Sequence, residues 1–332
     1  MVKTFLLIIL ALLAIILAYF FLGWPMRDQN MIYGMTWSGP YARYLGIDSQ
    51  EGLRAALQEL KLTHVRLPAY WSIIEPQQGK FDFVELDQQL DLITEHQGKV
   101  ILVVGAKQPR WPECWIPDWT KNMSESEREQ AQFNYVKEVI LHVGNRSVIE
   151  AWQVENEPEF TFGECAPLSK SFIEKEMAFV RGLDKTLNTQ HPIYTTASGE
   201  LSSWLDFGRA TDGLGISIYR VVETPLIGTF HYSFLPPWIY KRKAWLLRWW
   251  TGPVYVSEFQ MEPWFKDGSA INLPLEAYFK TFNSAQMKKN FWFAERTGFE
   301  RVYFWGVEWW YWMKIKKNHP EFWDVAKQHS TL

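Results

Sequence analysis

The feature that most constrains this chain is a rhythm of short apolar runs alternating with helical patterns. Eight runs read as strands: Met31–Trp37, Thr63–Pro68, Lys99–Val104, Val148–Val154, Pro192–Thr196, Gly213–Ile218, Pro253–Ser257 and Arg301–Trp305. Between them the spacing predicts helices over Ser49–Leu62, Phe83–Gln97, Glu125–Val143, Lys170–Leu187 and Leu275–Thr297. A short helix is expected near Leu201–Ala210 and a last one near Glu321–Gln328. Asp48 or Ser49 opens the first helix as a cap, and Leu86, Leu90 and Ile93 share one face of the second. Eight strands alternating with helices predict an α/β chain folded as a (β/α)8 TIM barrel. An open doubly wound sheet is the rival, but it usually carries a glycine-rich phosphate turn after its first strand. Here that turn reads MTWSGP. The expected layout is a membrane anchor and short linker over residues 1–30, then one barrel domain over 31–332.

The N-terminal part follows a different rule. Phe5–Leu22 contains no charge, glycine or proline and is long enough to cross a bilayer as a helix. A cleaved signal peptide would have a shorter apolar core ending in small residues. This run ends in Tyr19, Phe20, Phe21, Leu22, Gly23 and Trp24, which favours an uncleaved signal-anchor with an aromatic belt. Lys3 precedes the segment, while Arg27 and Asp28 follow it, so the domain is expected outside the cytoplasm on a single-pass transmembrane helix.

Net charge is −3, which leaves no basic excess for nucleic acid. The chain has 19 Trp, whose flat apolar faces suit the C–H faces of sugar rings. Core packing and interfacial anchoring account for part of that number. Val221–Thr251, with its FLPPWIYKRKAWLLRWW stretch, departs from the barrel rhythm. It reads as an ordinary loop with a short helix, as an interfacial segment on lipid, or as a wall of a cleft. Cys114 follows the third strand and Cys165 the fourth, so a disulfide between neighbouring rim loops is expected on export. Two free thiols are the alternative. No His, Cys or Asp cluster has metal spacing, and no serine elbow is present, so neither metal nor cofactor is expected.

In a barrel of this kind, chemistry sits at the C-terminal ends of the strands. There the chain places Arg66, Tyr70, Trp71 and Glu75 after or within the second strand, and Glu155-Asn156-Glu157-Pro158-Glu159 after the fourth. Tyr219 ends the sixth, Glu258 through Glu262 end the seventh, and Trp305-Gly306-Val307-Glu308 end the eighth. Two carboxylates at one mouth are what glycosidic cleavage requires. One protonates the leaving oxygen, and the other attacks the anomeric carbon or activates water. Glu262 and Glu308 are candidate rim or subsite residues. Trp71, Trp111, Trp264 and Trp309 are candidate subsite platforms, with packing as the alternative reading.

Asn156-Glu157-Pro158 after the fourth strand, Glu258 101 residues later (258 − 157) after the seventh, and VRLPAYWSIIEPQQGKFDF from Val65 to Phe83 resemble the clan A glycoside hydrolases. Those are retaining barrel enzymes that include family 5 cellulases and mannanases and family 39 enzymes. The resemblance runs over residues 31–325. It implies that Glu157 is the general acid/base and Glu258 the nucleophile. It further implies that Asn156 bonds the sugar 2-hydroxyl, that Arg66 and Tyr219 hold Glu258 ionised, and that Trp305 is the platform under the attacked sugar. Two positions depart from family 5. Ser217 stands where a His is usual, and the third strand leads into Gly105-Ala106-Lys107-Gln108-Pro109-Arg110-Trp111 without a His.

The expected activity is hydrolysis of β-linked O-glycosidic bonds in a polysaccharide or glycoconjugate by double displacement, with the carboxyl groups about 5–5.5 Å apart. The chain is expected to act as a monomer with an oligosaccharide or polysaccharide as substrate. A non-catalytic sugar-binding barrel and a transglycosylase using the same two glutamates are the alternatives.

Overall fold

The protein is described by a computed structural model covering residues 2–23, 28, 30–207, 210–224, 228–265 and 270–330. Trp24 and Arg27 of the anchor flank lie outside the described residues, as do 208–209 of the expected short helix. Among the described residues ten strands form: β1 Ile32–Thr36, β2 His64–Pro68, β3 Lys99–Val104, β4 Ile149–Val154, β5 Ile193–Ser198, β6 Gly213–Ile218, β7 Val221–Thr224, β8 Gly228–His231, β9 Val254–Gln260 and β10 Arg301–Trp305. Eight of them close a parallel barrel in the order β1-β10-β9-β6-β5-β4-β3-β2, and β7 and β8 form a separate antiparallel hairpin. The TIM barrel expected from the sequence is thus the fold.

Parallel strands covered by helices are buried on both faces, which is why these runs are almost continuously apolar. Outward-facing residues such as Val65, Val100 and Leu102 pack under the helical shell, with Leu53, Leu57 and Leu90 among its contributions. Inside the ring, Ile101, Ala151, Tyr255 and Tyr303 form a second cluster, bordered by Tyr194. Core packing accounts for much of the tryptophan, since Trp37, Trp71, Trp152, Trp204, Trp309, Trp310 and Trp323 are all fully buried.

Several elements differ from the sequence reading, each for a local reason. The long helix expected over Leu275–Thr297 is two helices, Leu275–Thr281 and Ser284–Ala294. Phe282 is extended, and the Asn283 side chain caps the second helix by accepting from the Gln286 N–H at 2.9 Å. The short helix near Leu201–Ala210 does not form among its described residues. Ser198, Ser202 and Ser203 hydroxyls accept instead from the backbone N–H groups of Leu201, Trp204 and Leu205 at 3.1–3.2 Å. Val307–Lys316 is an unanticipated helix directly after β10, and it carries Trp309, Trp310 and Trp312 into the core. The Val221–Thr251 stretch holds the β7–β8 hairpin and a helix over Trp238–Thr251.

The N-terminal helix, Val2–Phe21, has no buried residue. At about 30 Å it is long and apolar enough to cross a membrane. Its C-terminal end rests on helix Trp238–Thr251, where Arg242 donates to the carbonyls of Tyr19 and Leu22.

One packing constraint can be tested directly. A Cβ added to Gly34 of β1 would stand 2.6 Å from the His64 carbonyl oxygen and 2.7 Å from the Tyr303 ring. Gly34→Ala should lower unfolding free energy by roughly 1–3 kcal/mol through overpacking, read by urea denaturation; an unchanged midpoint would show that the Tyr303 layer has room to shift.

Candidate active site

The site grows from the ends of β2, β4, β6 and β9. Arg66, in β2, is fully buried and every nitrogen of its guanidinium is engaged. Its Nε donates to Gln153 Oε1 at 2.7 Å, Nη2 to Asn156 Oδ1 at 2.6 Å, and Nη1 to Glu258 Oε1 at 2.7 Å and Thr36 Oγ1 at 3.4 Å. The Tyr219 hydroxyl donates to the other Glu258 oxygen at 2.9 Å. Each oxygen of a carboxylate that is 2% exposed therefore meets a donor, one of them cationic. A bulge aims Glu258. Against β6, Ile216 pairs with Val256 but Ser217 pairs with Glu258, so Ser257 is the extra residue that turns the strand.

Glu157 reaches the same place from β4. The chain leaves that strand with positive φ at Glu155 (58°) and Glu157 (42°), which turns alternate side chains to opposite sides. The Glu157 N–H donates to Thr196 Oγ1 at 2.9 Å, and its carboxyl accepts from Ser217 Oγ at 2.5 Å. Ser217 is paired across the sheet with Glu258, so one β6 residue bridges the two glutamates. Burial, then the charge of Glu258, pushes the Glu157 carboxyl up to about 7 against the lowering effect of Ser217, Lys107 and Arg66. Asn156 Oδ1 also accepts from Thr196 Oγ1 at 3.0 Å, which leaves its buried Nδ2 without a protein partner.

Glu155 points below the site. It accepts from the N–H groups of Ala106 and Lys107 at 2.9 and 2.5 Å and from Gln132 Nε2 at 2.7 Å, and the same Gln132 nitrogen donates to Glu176 at 2.8 Å. Burial raises the Glu155 carboxyl to about 7. This network ties the β3 loop to β4. It requires Gly105, at φ 111°, because a Cβ there would lie 2.5 Å from the Glu155 carboxylate.

A cavity of about 320 Å³ opens above the strand ends, with Tyr41, Arg110, Glu113, Tyr219, Trp264 and Trp305 in its wall. Neither Glu157 nor Glu258 is part of that wall. Glu258 is reached through Tyr219, and Glu157 borders a smaller recess of about 60 Å³ beside Thr196 and Ser202. Trp264 sits edge-on to Tyr219 at 5.4 Å and against Phe162 at 5.5 Å, forming an aromatic cover over this region.

Two wall residues were not singled out from the sequence as site groups. Arg110 is sandwiched between the Tyr41 and Trp305 rings at 3.9 and 4.0 Å and paired with both Glu262 and Glu308. Glu113 is buried, and its carboxyl lies well above the usual range because of burial and then the charges of Glu157 and Glu258. Both stand in the β3 loop at positive φ, 79° and 62°. The signal that was available is the departure of GAKQPRWPEC from the family 5 pattern. That loop is bonded to the β4 loop through the Cys114–Cys165 disulfide, with Cα atoms 4.9 Å apart.

Three expected substrate contacts, Trp71, Trp309 and Glu308, are placed elsewhere. Trp71 is fully buried, stacked on Tyr135 at 5.5 Å with its N–H on Glu75 at 2.8 Å, so no sugar can reach its face. Trp309 is buried likewise. Glu308 is also fully buried. Its oxygens accept from the Ser38 N–H at 2.7 Å and Arg110 Nη2 at 2.8 Å, which makes it a support of Arg110 and not a cavity surface. Glu262, Trp111 and Trp264 do line the cavity.

Comparison with known proteins matches residues 50–191 to the family model of the glycoside hydrolase family 42 β-galactosidases. Over 114 residues the chain is 30% identical to mannan endo-1,4-β-mannosidase A of Emericella nidulans, a match spanning 34% of this chain and 27% of that protein. Among solved structures, a GH5_18 protein of Bifidobacterium longum subsp. infantis superposes with a TM-score of 0.60 at 12% identity, covering 92% of this chain and 79% of the other. A β-galactosidase of Halorubrum lacusprofundi gives 0.59 at 14% identity, covering 91% and 58%. The chain is thus similar over part of its length to glycoside hydrolases, and the solved structures share its barrel fold. In such a barrel the Arg66 cluster occupies the carboxyl ends of the strands, where this fold carries its chemistry.

The electrostatic dependence of Glu258 on Arg66 is measurable without any substrate. Arg66→Met leaves a buried carboxylate facing an apolar side chain and should cost about 3–5 kcal/mol. Adding Glu258→Gln in the same chain should recover part of that loss. A double variant no more stable than Arg66→Met would show that the cost lies in Gln153 and Asn156 and not in the ion pair.

Proposed function

We propose that the protein is a retaining glycosidase acting on β-linked sugars of a polysaccharide or glycoconjugate. In this reading residues 1–30 are anchor and linker and 31–332 a monomeric catalytic domain held outside the cytoplasm. One observation carries it. Two carboxyl groups joined through Ser217 and its strand pairing have opposite surroundings: Glu258 is held by a guanidinium and a phenol, and Glu157 is pushed up to about 7. That division supplies one ionised nucleophile and one proton donor. The family 42 model and the mannosidase similarity support a β-linked substrate.

In the first step a Glu258 oxygen attacks the anomeric carbon while the Glu157 proton passes to the departing glycosidic oxygen. The products are a glycosyl ester on Glu258 and a free alcohol. In the second step Glu157, now ionised, takes a proton from water. The resulting hydroxide attacks the same carbon and Glu258 leaves as carboxylate. Asn156 Nδ2, lacking a protein partner, is the donor for the sugar 2-hydroxyl. Trp305 offers its ring beneath the sugar, held flat by Arg110. Ser217 takes the place of the expected histidine by bonding the acid directly.

The decisive experiment is hydrolysis of an aryl β-glycoside panel by the wild type, Glu258→Gln and Glu157→Gln. Glu157→Gln should lose roughly 10²–10⁴-fold in rate on substrates with poor leaving groups and far less on activated dinitrophenyl glycosides. Glu258→Gln should be inert on both, and the first product seen by NMR should keep the β configuration. Wild type and Glu258→Gln that are equally inert, while both still bind oligosaccharide, would instead make the barrel a sugar-binding module. Products carrying an added acceptor sugar would make it a transglycosylase.

The pH profile follows from the same assignment. Glu157 must be protonated to donate, so kcat/KM should fall as pH rises through about 7. Glu157→Gln should abolish that alkaline limb. A limb that persists unchanged in the variant would assign it to another group.

A further inference from the structure

Helix Trp238–Thr251 has two faces of opposite character. Tyr240, Ala244 and Thr251 are buried against the barrel. Facing solvent are Trp249 at 76% exposure, Trp245 at 56%, and Leu246 and Trp250. The Arg248 guanidinium lies over the Trp245 and Trp249 rings at 4.2 and 5.1 Å. The sequence WIYKRKAWLLRWWT contains no acidic residue. Its other cations are turned back onto protein: Lys243 lies over Trp204 and Lys241 over Phe299. An exposed cluster of three tryptophans is expensive in water, but Trp and Arg together fit a phospholipid headgroup layer, where a ring meets acyl chains and a polar group meets water.

A second, independent observation brings the apolar N-terminal helix to this face. Arg242 of the same helix donates to the carbonyls of Tyr19 and Leu22, the unsatisfied C-terminal end of the apolar N-terminal helix, and its guanidinium lies 5.2 Å from the Tyr19 ring centroid. The tryptophan face begins beside the end of that helix.

We propose that helix Trp238–Thr251 is a membrane-surface element, which lays Trp245, Trp249 and Trp250 into the headgroup layer beside the point where the N-terminal helix emerges. It thereby fixes the orientation of the barrel on the bilayer. Gly252, directly after this helix, packs beside Asp212 at the start of β6. Trp249 and Trp250 therefore lie toward the end of the barrel where strands begin. The cavity, at the other end, opens away from the lipid toward glycans in the surrounding medium.

The inference rests on the reading that the N-terminal helix crosses the bilayer, and the test separates the two. The full chain is reconstituted in vesicles of phosphatidylcholine and phosphatidylglycerol. A nitroxide is placed in turn at Leu12→Cys, Trp249→Cys and Tyr44→Cys, the last at the cavity rim. Collision rates with oxygen and with a nickel chelate are then compared. Expected are strong oxygen preference at position 12, a ratio at 249 shifted from the aqueous value toward lipid, and an aqueous ratio at 44. Lipid depth at 12 with an aqueous 249 overturns the surface element and leaves the anchor standing. An aqueous 12 overturns both. Low access to both reagents at 249 identifies a second copy of the chain as the occupant and overturns the lipid assignment. Lipid exposure at 44 overturns the proposed orientation. Trp245→Cys repeats the measurement one helical turn away.

Discussion

A buried guanidinium organises this barrel's mouth. Arg66 touches β1 through Thr36, β4 through Gln153, the turn after β4 through Asn156, and β9 through Glu258. A charge wholly removed from water is tolerated only where opposite charge and hydrogen bonds surround it, and removing one partner costs far more than the pair contributes. The position of Glu258 is therefore not an independent choice of β9. Strands that are distant in sequence must deliver an acceptor to each Arg66 nitrogen, and the strand stagger of a closed barrel makes this possible.

The loops above that centre are fixed in the same manner. Arg110 repeats the motif one layer higher, with two aromatic rings on its faces and two carboxylates at its edge. Glu155 and Glu176 meet through Gln132 below, where burial raises both carboxyls and the charge of Glu155 raises Glu176 further. The disulfide between Cys114 and Cys165 links the β3 and β4 loops across a sequence separation of 51 residues. Cross-links that close long loops restrict the unfolded chain most, in the chain-entropy account. The cavity wall thus rests on covalent, ionic and aromatic contacts at the rim and on apolar packing only beneath it.

What the sequence revealed and what it hid follow from range. Strands were readable because a parallel strand is apolar along its whole length, and that pattern is local. Glu157 and Glu258 were readable because strand ends fix where a side chain emerges. Arg110 and Glu113 were not, since both depend on positive backbone φ in a loop whose path is set by contacts with the β4 loop and with Glu262. Trp71 and Glu308 follow strands just as Tyr219 does, yet they turn inward, because Tyr135 and Arg110 receive them. The break at Phe282–Asn283 carried a readable signal, an asparagine suited to capping, which the strong apolar period of the surrounding helix masked. The serines at 198, 202 and 203 acted in the same way on the expected helix near Leu201.

The coupling between the two glutamates gives the proposed double displacement an internal logic. Glu157 is held near 7 first by burial and next by the negative charge of Glu258. When Glu258 becomes a glycosyl ester that charge disappears, while Lys107, Arg66 and Ser217 continue to favour the ionised form of Glu157. Its carboxyl must then become more acidic at the stage when it has given up its proton and has to persist as a base toward water. Hydrolysis of the ester restores the charge on Glu258, which raises Glu157 again and returns it to the acid form. In the proposed cycle Glu157 thus alternates between acid and base as the charge on Glu258 disappears and returns, with no backbone movement needed to switch its role.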